Sequence, residues 1–181
     1  AIPRDAEDAT NLNVSIYGNW SGAWHLNVSN TSSLNNTQTN FTISAIPDGK
    51  FIWGARVGDT QGSNVTNTTN YTFTKDTVAP VIALPFYANG TLKKNTDTLT
   101  LNISVSDATT NPSACNININ GTNQTVTVSS GWCNITNGFL TNLGDGNQTI
   151  RVYANDTLNN FGLNDSYVVK IDSTAPVIAL P

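Results

Sequence analysis

The sequence predicts an all-β protein built from two tandem sandwich domains, and three observations support this prediction. The ten residues at 76–85, DTVAPVIALP, return almost unchanged as DSTAPVIALP at 172–181. Polar and apolar residues alternate with a period of two along short segments, which is the pattern of half-buried strands. Asn-Gly and Asp-Gly turn signals separate these segments, and no segment carries a convincing helical period.

The repeat sets the size of the domains. Pro80 and Pro176 are equivalent, and 176 − 80 gives a period of 96 residues, the length of an immunoglobulin-like sandwich. We therefore predict two immunoglobulin-like β-sandwich domains in tandem, at residues 1–78 and 79–173. Residues 174–181 are predicted to form a strand that completes the next domain or subunit.

The sequence predicts one strand at the centre of each repeat. The segment DGKFIWGARVGD at 48–59 matches DGNQTIRVYAND at 145–156 with an offset of 97. Alternation predicts that one triplet in each segment points inward: Trp53, Ala55 and Val57 in the first repeat, and Ile150, Val152 and Ala154 in the second. Similar alternation leads us to expect that residues 12–16 and 98–107 occupy equivalent places.

Composition argues against two classes of partner. Only 11% of the residues are charged, with 12 Asp+Glu against 8 Lys+Arg and no basic patch, which disfavours nucleic-acid binding. No apolar run approaches the roughly 20 residues that span a bilayer, so no membrane span is expected in this segment. The chain has no Met and does not begin with a signal peptide, and we expect a processed protein or a fragment of a longer one.

The asparagines form an unusual number of acceptor triplets for N-linked glycans, Asn-x-Ser/Thr with x not Pro. Of 27 Asn, 17 lie in such triplets, whereas random placement at this Ser and Thr content gives about six. Alternation in Thr-rich strands explains part of the excess and would place the glycans on the outer face. The acceptors are Asn13, Asn19, Asn27, Asn30, Asn35, Asn40, Asn64, Asn67, Asn70, Asn89, Asn102, Asn120, Asn123, Asn134, Asn147, Asn155 and Asn164. Even partial occupancy implies export and an extracellular or cell-surface location.

The two cysteines, Cys115 and Cys133, are expected to form a disulfide, since that is the default in an exported chain. Two separate buried thiols are the alternative. A zinc site needs more ligands than these two and the single His25, and a catalytic cysteine lacks a histidine in its own repeat. Calcium at the loops after Asp59, Asp107 and Asp156 is weighed against turn capping, which the sparse carboxylates favour. We therefore predict no metal, no cofactor and no catalytic residue, and hence no enzyme.

At this point the sequence resembles a known family. A strand ending in DG…(W/I)…A…D, a polar loop, a last strand and then DTVAPVI or DSTAPVI is the pattern of tandem Ig-like repeats in secreted archaeal and bacterial surface proteins. The resemblance implies a stalk, an adhesin, a cell-wall layer or a filament. The density of glycan acceptors points to an archaeal source.

The repeated apolar segment suggests how such units are joined. In the middle of the chain APVIALP is expected to form the first strand of the second repeat, while the first repeat has only a weak counterpart, AIP at 1–3. The hypothesis is that the last segment of one subunit completes the first repeat of another by donor-strand addition, giving a head-to-tail polymer of identical subunits. The joining strand comprises Ala175, Pro176, Val177, Ile178, Ala179 and Leu180.

Two alternatives stay open. The segment would equally begin a third repeat if the chain is part of one long polypeptide, and either arrangement gives an extended extracellular fibre. The second alternative is an adhesin or a carbohydrate-binding stalk module, in which Trp20, Trp24 and Trp132 stack on sugars if they are exposed.

Overall fold

The structure is a computed structural model that describes residues 1–7, 11–136 and 140–179. Thirteen β-strands and no helix are found in this part of the chain. It divides into two compact units, 1–76 and 77–181. The prediction of an all-β, Ig-like fold is confirmed.

Unit 1 consists of one five-stranded antiparallel sheet in which β3 is central. β1 pairs with one edge of β3, and β4 and β5 pair with successive parts of its other edge. β2 completes the sheet beside β1. The strands are β1 (Leu12–Gly18), β2 (His25–Ser33), β3 (Gly49–Gly58), β4 (Asn64–Thr66) and β5 (Tyr71–Lys75).

Unit 2 is a two-layered sandwich. One sheet has the order β10-β9-β12-β13-β7 and the other has the order β11-β8-β6. Its strands are β6 (Val81–Ala83), β7 (Thr91–Lys93), β8 (Leu101–Ser106), β9 (Pro112–Ile119), β10 (Thr122–Thr127), β11 (Trp132–Ile135), β12 (Gly146–Asp156) and β13 (Phe161–Ile171).

The cores of the two units differ in extent. Unit 2 encloses eighteen buried apolar residues between its sheets, whereas Leu12, Val14, Ile16 and Trp20 are the buried apolar residues described in unit 1. The predicted inward triplet of β12 is fully buried, with 0–2% exposure. The matching triplet of β3 is only half-buried, because no second sheet is described over it.

The expected equivalence of residues 12–16 and 98–107 is wrong. In unit 1 β1 pairs with β3, Gly18 lying opposite Trp53. In unit 2 the strand in that place is β9, with Ile119 opposite Ile150, while β8 lies in the other sheet. Both segments alternate with the same period, and the period alone does not say which neighbour a strand pairs with.

The segment AIP at 1–3 also takes a different place from the one expected. It does not stand where β6 stands, but pairs with residues 36–39, which precede β3 as β11 precedes β12. Thr39 donates to the Ala1 carbonyl (2.8 Å) and Asn36 to the Pro3 carbonyl (2.8 Å). Because the partner of β11 in unit 2 is β8, this N-terminal segment corresponds to β8.

Candidate functional site

The first copy of the repeated segment is a structural strand of unit 2. Val81–Ala83 forms β6 on the edge of β8, with Ile82 opposite Val105. Ile82 is 7% exposed and Leu84 is 1% exposed, so the apolar side chains enter the core between the sheets. The two flanking prolines lack an N–H donor and therefore limit this edge strand to three residues.

Two residues of β13 fit β6 closely. The Asn164 amide Nδ2 donates to the Ile82 carbonyl (2.9 Å). Gly162 faces Pro80 so closely that a Cβ at Gly162 would lie 2.4 Å from the Pro80 carbonyl oxygen. Neither residue is predicted from the sequence to contact this strand. A glycine inside a β-pattern is the signal that marks such a close approach.

The second copy of the segment has the opposite environment. Residues 174–179 form no strand, and Val177 and Ile178 are 92% and 85% exposed. Ser173 N–H (2.7 Å) and Thr174 Oγ1 (2.5 Å) both donate to the Asp145 carboxylate, which fixes the base of the segment to unit 2. These hydrogen bonds, that of Thr174 foremost, lower the pKa of Asp145. Leu180, the last predicted joining residue, lies outside the described residues.

Unit 1 carries an apolar cavity of about 300 Å³ on the half-buried face of its sheet. Aromatic and aliphatic side chains supply most of its wall, and Thr39 and Asn40 are the polar members. The lining residues are Ala1, Ile16, Trp20, Thr39, Asn40, Phe41, Ile43, Ile46, Trp53 and Phe73. The corresponding face of β12 in unit 2 is covered by the second sheet.

None of the 17 predicted glycan acceptors is buried. Eleven are exposed: Asn13, Asn30, Asn40, Asn64, Asn70, Asn89, Asn102, Asn120, Asn123, Asn134 and Asn147. The other six are half-buried: Asn19, Asn27, Asn35, Asn67, Asn155 and Asn164. Several of the half-buried amides hold the backbone in place, as the Asn35 Nδ2 does by donating to the Asp5 carbonyl (2.6 Å). An N-linked sugar would be attached at this same nitrogen.

Cys115 on β9 and Cys133 on β11 form a disulfide across 18 positions of sequence. β9 and β11 belong to different sheets, so the bridge joins the two layers of unit 2. Both cysteines are buried. The bond therefore supports the sandwich rather than a reactive site.

The aspartates that were weighed as calcium ligands cap turns. Asp59 Oδ1 accepts from Ser63 N–H (2.7 Å), and Asp107 Oδ1 accepts from Thr109 N–H (2.8 Å). The Asp107 and Asp156 carboxylate oxygens lie within 4.8 Å of each other, and Asp107 Oδ2 is buried without a hydrogen-bond partner in the described structure.

Asp156 has an environment that favours its ionised form. Burial acts to raise its pKa, but hydrogen bonds from Asn160, Thr110 and Leu158 outweigh the burial and lower the pKa to about 2. Thr110 Oγ1 (3.0 Å) and Asn160 Nδ2 (2.7 Å) donate to Oδ2, and the Leu158 N–H (2.8 Å) donates to Oδ1. This carboxylate organises the β12–β13 hairpin loop.

The three tryptophans considered as sugar platforms differ in exposure. Trp20 is buried at 8% exposure, and Trp132 is half-buried and stacks on Phe86. Trp24 is 43% exposed and stacks on Tyr17 with ring centroids 6.3 Å apart. The Tyr17 and Trp24 rings line a depression of about 210 Å³ together with Gly54, Arg56 and Thr66.

His25 forms one hydrogen-bonded pair with a hydroxyl group. Ser21 Oγ lies 2.7 Å from His25 Nε2, and His25 Nδ1 lies 2.6 Å from the Ala23 carbonyl. With a carbonyl as its partner Nδ1 carries the proton, so Nε2 accepts from the serine. The arrangement lies within one exposed turn and has a carbonyl where a catalytic triad has a carboxylate.

Comparison with known proteins places the chain among Ig-like modules. A family profile described as bacterial Ig-like domain (group 3) matches residues 35–141, more than half of the chain. No curated protein sequence matches. No helix in the described part of the chain is long and apolar enough to cross a membrane.

Solved structures of similar fold include fibronectin(III)-like modules of Clostridium thermocellum CbhA, with 14% sequence identity and a TM-score of 0.42. The alignment covers 92% of this chain and 80% of the CbhA chain. A 1.5-MDa bacterial ice-binding adhesin has 16% sequence identity and a TM-score of 0.45, and the alignment covers 91% of this chain and 55% of the adhesin chain. A tetra-tandem repeat from the extending region of a large adhesion protein has 22% sequence identity and a TM-score of 0.45, and the alignment covers 91% of this chain and 43% of the other. The chain spans about half the length of these last two structures. The extent of the family match shows that the chain belongs to the bacterial Ig-like domains of group 3.

Proposed function

We propose that this chain is a structural module of an extracellular, heavily N-glycosylated filament or surface fibre whose Ig-like units are joined end to end by the repeated apolar segment. The observation that carries the proposal is the contrast between two copies of one sequence. Ile82 in the first copy is 7% exposed in the core of unit 2, and Ile178 in the second copy is 85% exposed. Ig-like domains are typically structural modules, and the role proposed here needs no cofactor and no catalytic group.

The exposed copy is proposed to complete the core of a following unit. It either belongs to a separate subunit and enters the first unit of another, or it begins the next repeat of one long chain. In both arrangements the contact joins different surfaces of the two partners. Such head-to-tail contacts do not close on themselves and therefore produce an extended polymer.

The location follows from the covalent chemistry. A disulfide between the sheets persists in oxidising surroundings outside the cell. The exposed positions of eleven acceptors leave room for glycans that do not disturb the packing. An archaeal source, suggested by the number of acceptors, stays a prediction.

Two measurements on native material test the proposal. Electron microscopy is expected to show extended fibres, and intact mass before and after chemical deglycosylation is expected to exceed 19.3 kDa per unit of this length. A native mass equal to that of the bare polypeptide would contradict the glycan part. Gel mobility in SDS separates the two forms of joining, because a subunit-sized band indicates a polymer of separate subunits and a very high mass indicates one long chain.

A second candidate function, carbohydrate binding in an adhesive stalk, rests on the depression formed by Tyr17, Trp24 and Arg56. An exposed aromatic ring offers an apolar face to a sugar ring, and a neighbouring guanidinium donates hydrogen bonds to hydroxyl groups. A glycan array probed with the chain is expected to show binding that Trp24→Ala abolishes and Phe86→Ala leaves intact. An array without any bound glycan removes this candidate.

A further inference from the structure

The geometry points to a defined acceptor for the joining segment. We infer that the backbone edge of residues 1–5 in unit 1 takes residues 175–180 of a second copy of this chain, with Ile178 paired opposite Pro3 and Leu180 filling the apolar cavity. This inference rests on the proposed function and specifies its partner and register.

The first step concerns the edge itself. Residues 1–5 run antiparallel to residues 35–39 and use alternate backbone groups for that pairing. Ala1 exchanges hydrogen bonds with Thr39 in both directions, at 3.1 and 2.8 Å, and the Pro3 carbonyl accepts from Asn36. The Asn35 side chain continues this ladder by bonding both the N–H and the carbonyl of Asp5, at 3.0 and 2.6 Å.

The intervening residues leave a second edge open. In an antiparallel ladder the N–H and C=O groups of alternate residues point to opposite sides. Ile2 and Arg4 therefore direct their backbone groups away from residues 35–39, and no backbone hydrogen bond of either residue is found in the described chain. Such an edge is a template for another strand.

The register follows from the backbone pairing in unit 2. Val105 N–H donates to the Gly131 carbonyl (2.8 Å), so β8 turns the backbone groups of its alternate residues, Ser104 and Ser106, to β6. Ile82 therefore lies opposite the buried Val105 without hydrogen bonds, while Val81 and Ala83 on either side bond β8. Ile178 corresponds to Ile82, since the repeat has a period of 178 − 82 = 96. In unit 1 Pro3 is buried and lies between Ile2 and Arg4, whose backbone groups are open, so Ile178 is placed opposite Pro3 and Val177 opposite Arg4.

The third step accounts for the cavity. In unit 2 the β6–β8 register, continued by one residue, brings the buried Leu84 opposite Ile103. The corresponding pair is Leu180 and Ala1, and Ala1 belongs to the cavity wall. An apolar cavity of roughly 150 Å³ accommodates a benzene molecule. The 300 Å³ in unit 1 therefore has room for a leucine side chain.

The donor of the segment is a second copy of the chain. The segment has the same sequence, APVIAL, as the segment that fills this position in unit 2. Its own unit does not offer that position, since Val81–Ala83 already occupies the edge of β8. The hydrogen bonds of Ser173 and Thr174 to Asp145 hold the base of the segment, and beyond them its apolar residues reach solvent.

One position of unit 1 differs from the template and provides a sharp test. Val65 lies opposite Val57 in the hairpin, where Gly162 lies opposite Ala154 in unit 2. Gly162 is the residue whose missing Cβ admits the Pro80 carbonyl. Val65 therefore crowds Pro176 of the docked segment, and Val65→Gly is expected to strengthen the association several-fold. Val65 is 66% exposed, so its removal leaves the core of unit 1 unchanged.

The experiment uses sedimentation velocity on the full 181-residue chain and two complementary variants. Arg4→Pro removes the N–H that the Val177 carbonyl needs, and Ile178→Asp places a charge at the apolar contact. Each variant alone is expected to stay monomeric, with association at least roughly tenfold weaker than that of the original chain. An equimolar mixture is expected to form dimers and nothing larger, because one intact donor then meets one intact acceptor. Arg4→Ala, which keeps the N–H, is the matched control and is expected to associate normally.

Three results would overturn the inference: a 181-residue chain that stays monomeric, unchanged association of Arg4→Pro, or a mixture that does not dimerise. Circular dichroism of each variant verifies that the sheets remain formed. A failure here leaves the proposed fibre intact if native fibres are seen as one long glycosylated polypeptide. Absence of native fibres would instead refute the proposed function.

Discussion

The two copies of APVIAL allow a matched pair of substitutions, Ile82→Ala and Ile178→Ala, within identical local sequence. Ile82 is buried between the sheets of unit 2, whereas Ile178 is 85% exposed. Removal of three carbon atoms from a buried side chain costs about 2.4 kcal/mol, at about 0.8 kcal/mol for each buried methylene. The remaining cavity adds to this, within the roughly 2–5 kcal/mol known for such truncations.

Hydrogen exchange followed by mass spectrometry measures this effect in unit 2 alone. When exchange requires unfolding, a loss of about 2.4 kcal/mol speeds the exchange of the β8 amides roughly 50-fold, at about 1.4 kcal/mol per factor of ten. Ile178→Ala is expected to change the same amides by no more than about twofold, as is usual for exposed sites. Equal acceleration by both substitutions would refute the assignment of one copy to the core and the other to solvent.

Three further predictions concern unit 2. Replacing both Cys115 and Cys133 by alanine is expected to lower the free energy of unfolding by about 3 kcal/mol, which is the chain-entropy value for a loop of this length. Urea titration measures this loss, and an unchanged midpoint would show that the disulfide does not stabilise the fold. The pKa of Asp156 is about 2 in the folded chain and about 3.9 in the unfolded chain, so the free energy of unfolding is expected to be constant above pH 4 and to fall as the pH drops through about 2. Asp156→Asn should reduce this pH dependence. Urea titrations of both proteins across this range measure it, and identical profiles would contradict the prediction. Gly162→Ala is expected to displace β6 because its Cβ would meet the Pro80 carbonyl, and faster exchange at residues 81–83 verifies this. Gly144→Ala serves as the control, because a Cβ at Gly144 has no atom within 4 Å, and equal exchange at residues 81–83 in both variants would contradict the prediction.

Much of the fold follows from alternation and repetition. The inward triplet of β12 and the β-strand content could be predicted because a period of two specifies which side chains share a face. The predicted alignment of the two central strands is also confirmed, since Trp53 in β3 and Ile150 in β12 occupy equivalent positions in their sheets. What alternation does not encode is the neighbour of each strand. For that reason the pattern wrongly predicts that residues 12–16 are equivalent to residues 98–107, whereas in the structure they occupy the place of β9.

The candidate site was only partly predictable for a related reason. The repeated segment can be recognised from the sequence alone, because its two copies are nearly identical and lie 96 residues apart. Its acceptor is not visible, because Ile2 and Arg4 matter through their backbone groups, and these have the same chemistry in every residue except proline. Gly162, Asn164 and the depression beside Trp24 likewise arise from tertiary proximity between strands distant in sequence.

The hydrogen bond from Asn164 to the Ile82 carbonyl has a consequence for biosynthesis. Asn164 lies in an acceptor triplet, and its amide nitrogen is both the donor to β6 and the atom to which an oligosaccharide would be attached. A sugar transferred during export, ahead of folding, would leave β6 facing a bulky polar substituent. If the chain is glycosylated as proposed, its maturation would depend on timing: a chain that folds before it is modified would keep Asn164 without a sugar, and a chain modified first would be kept from closing β6 onto β13.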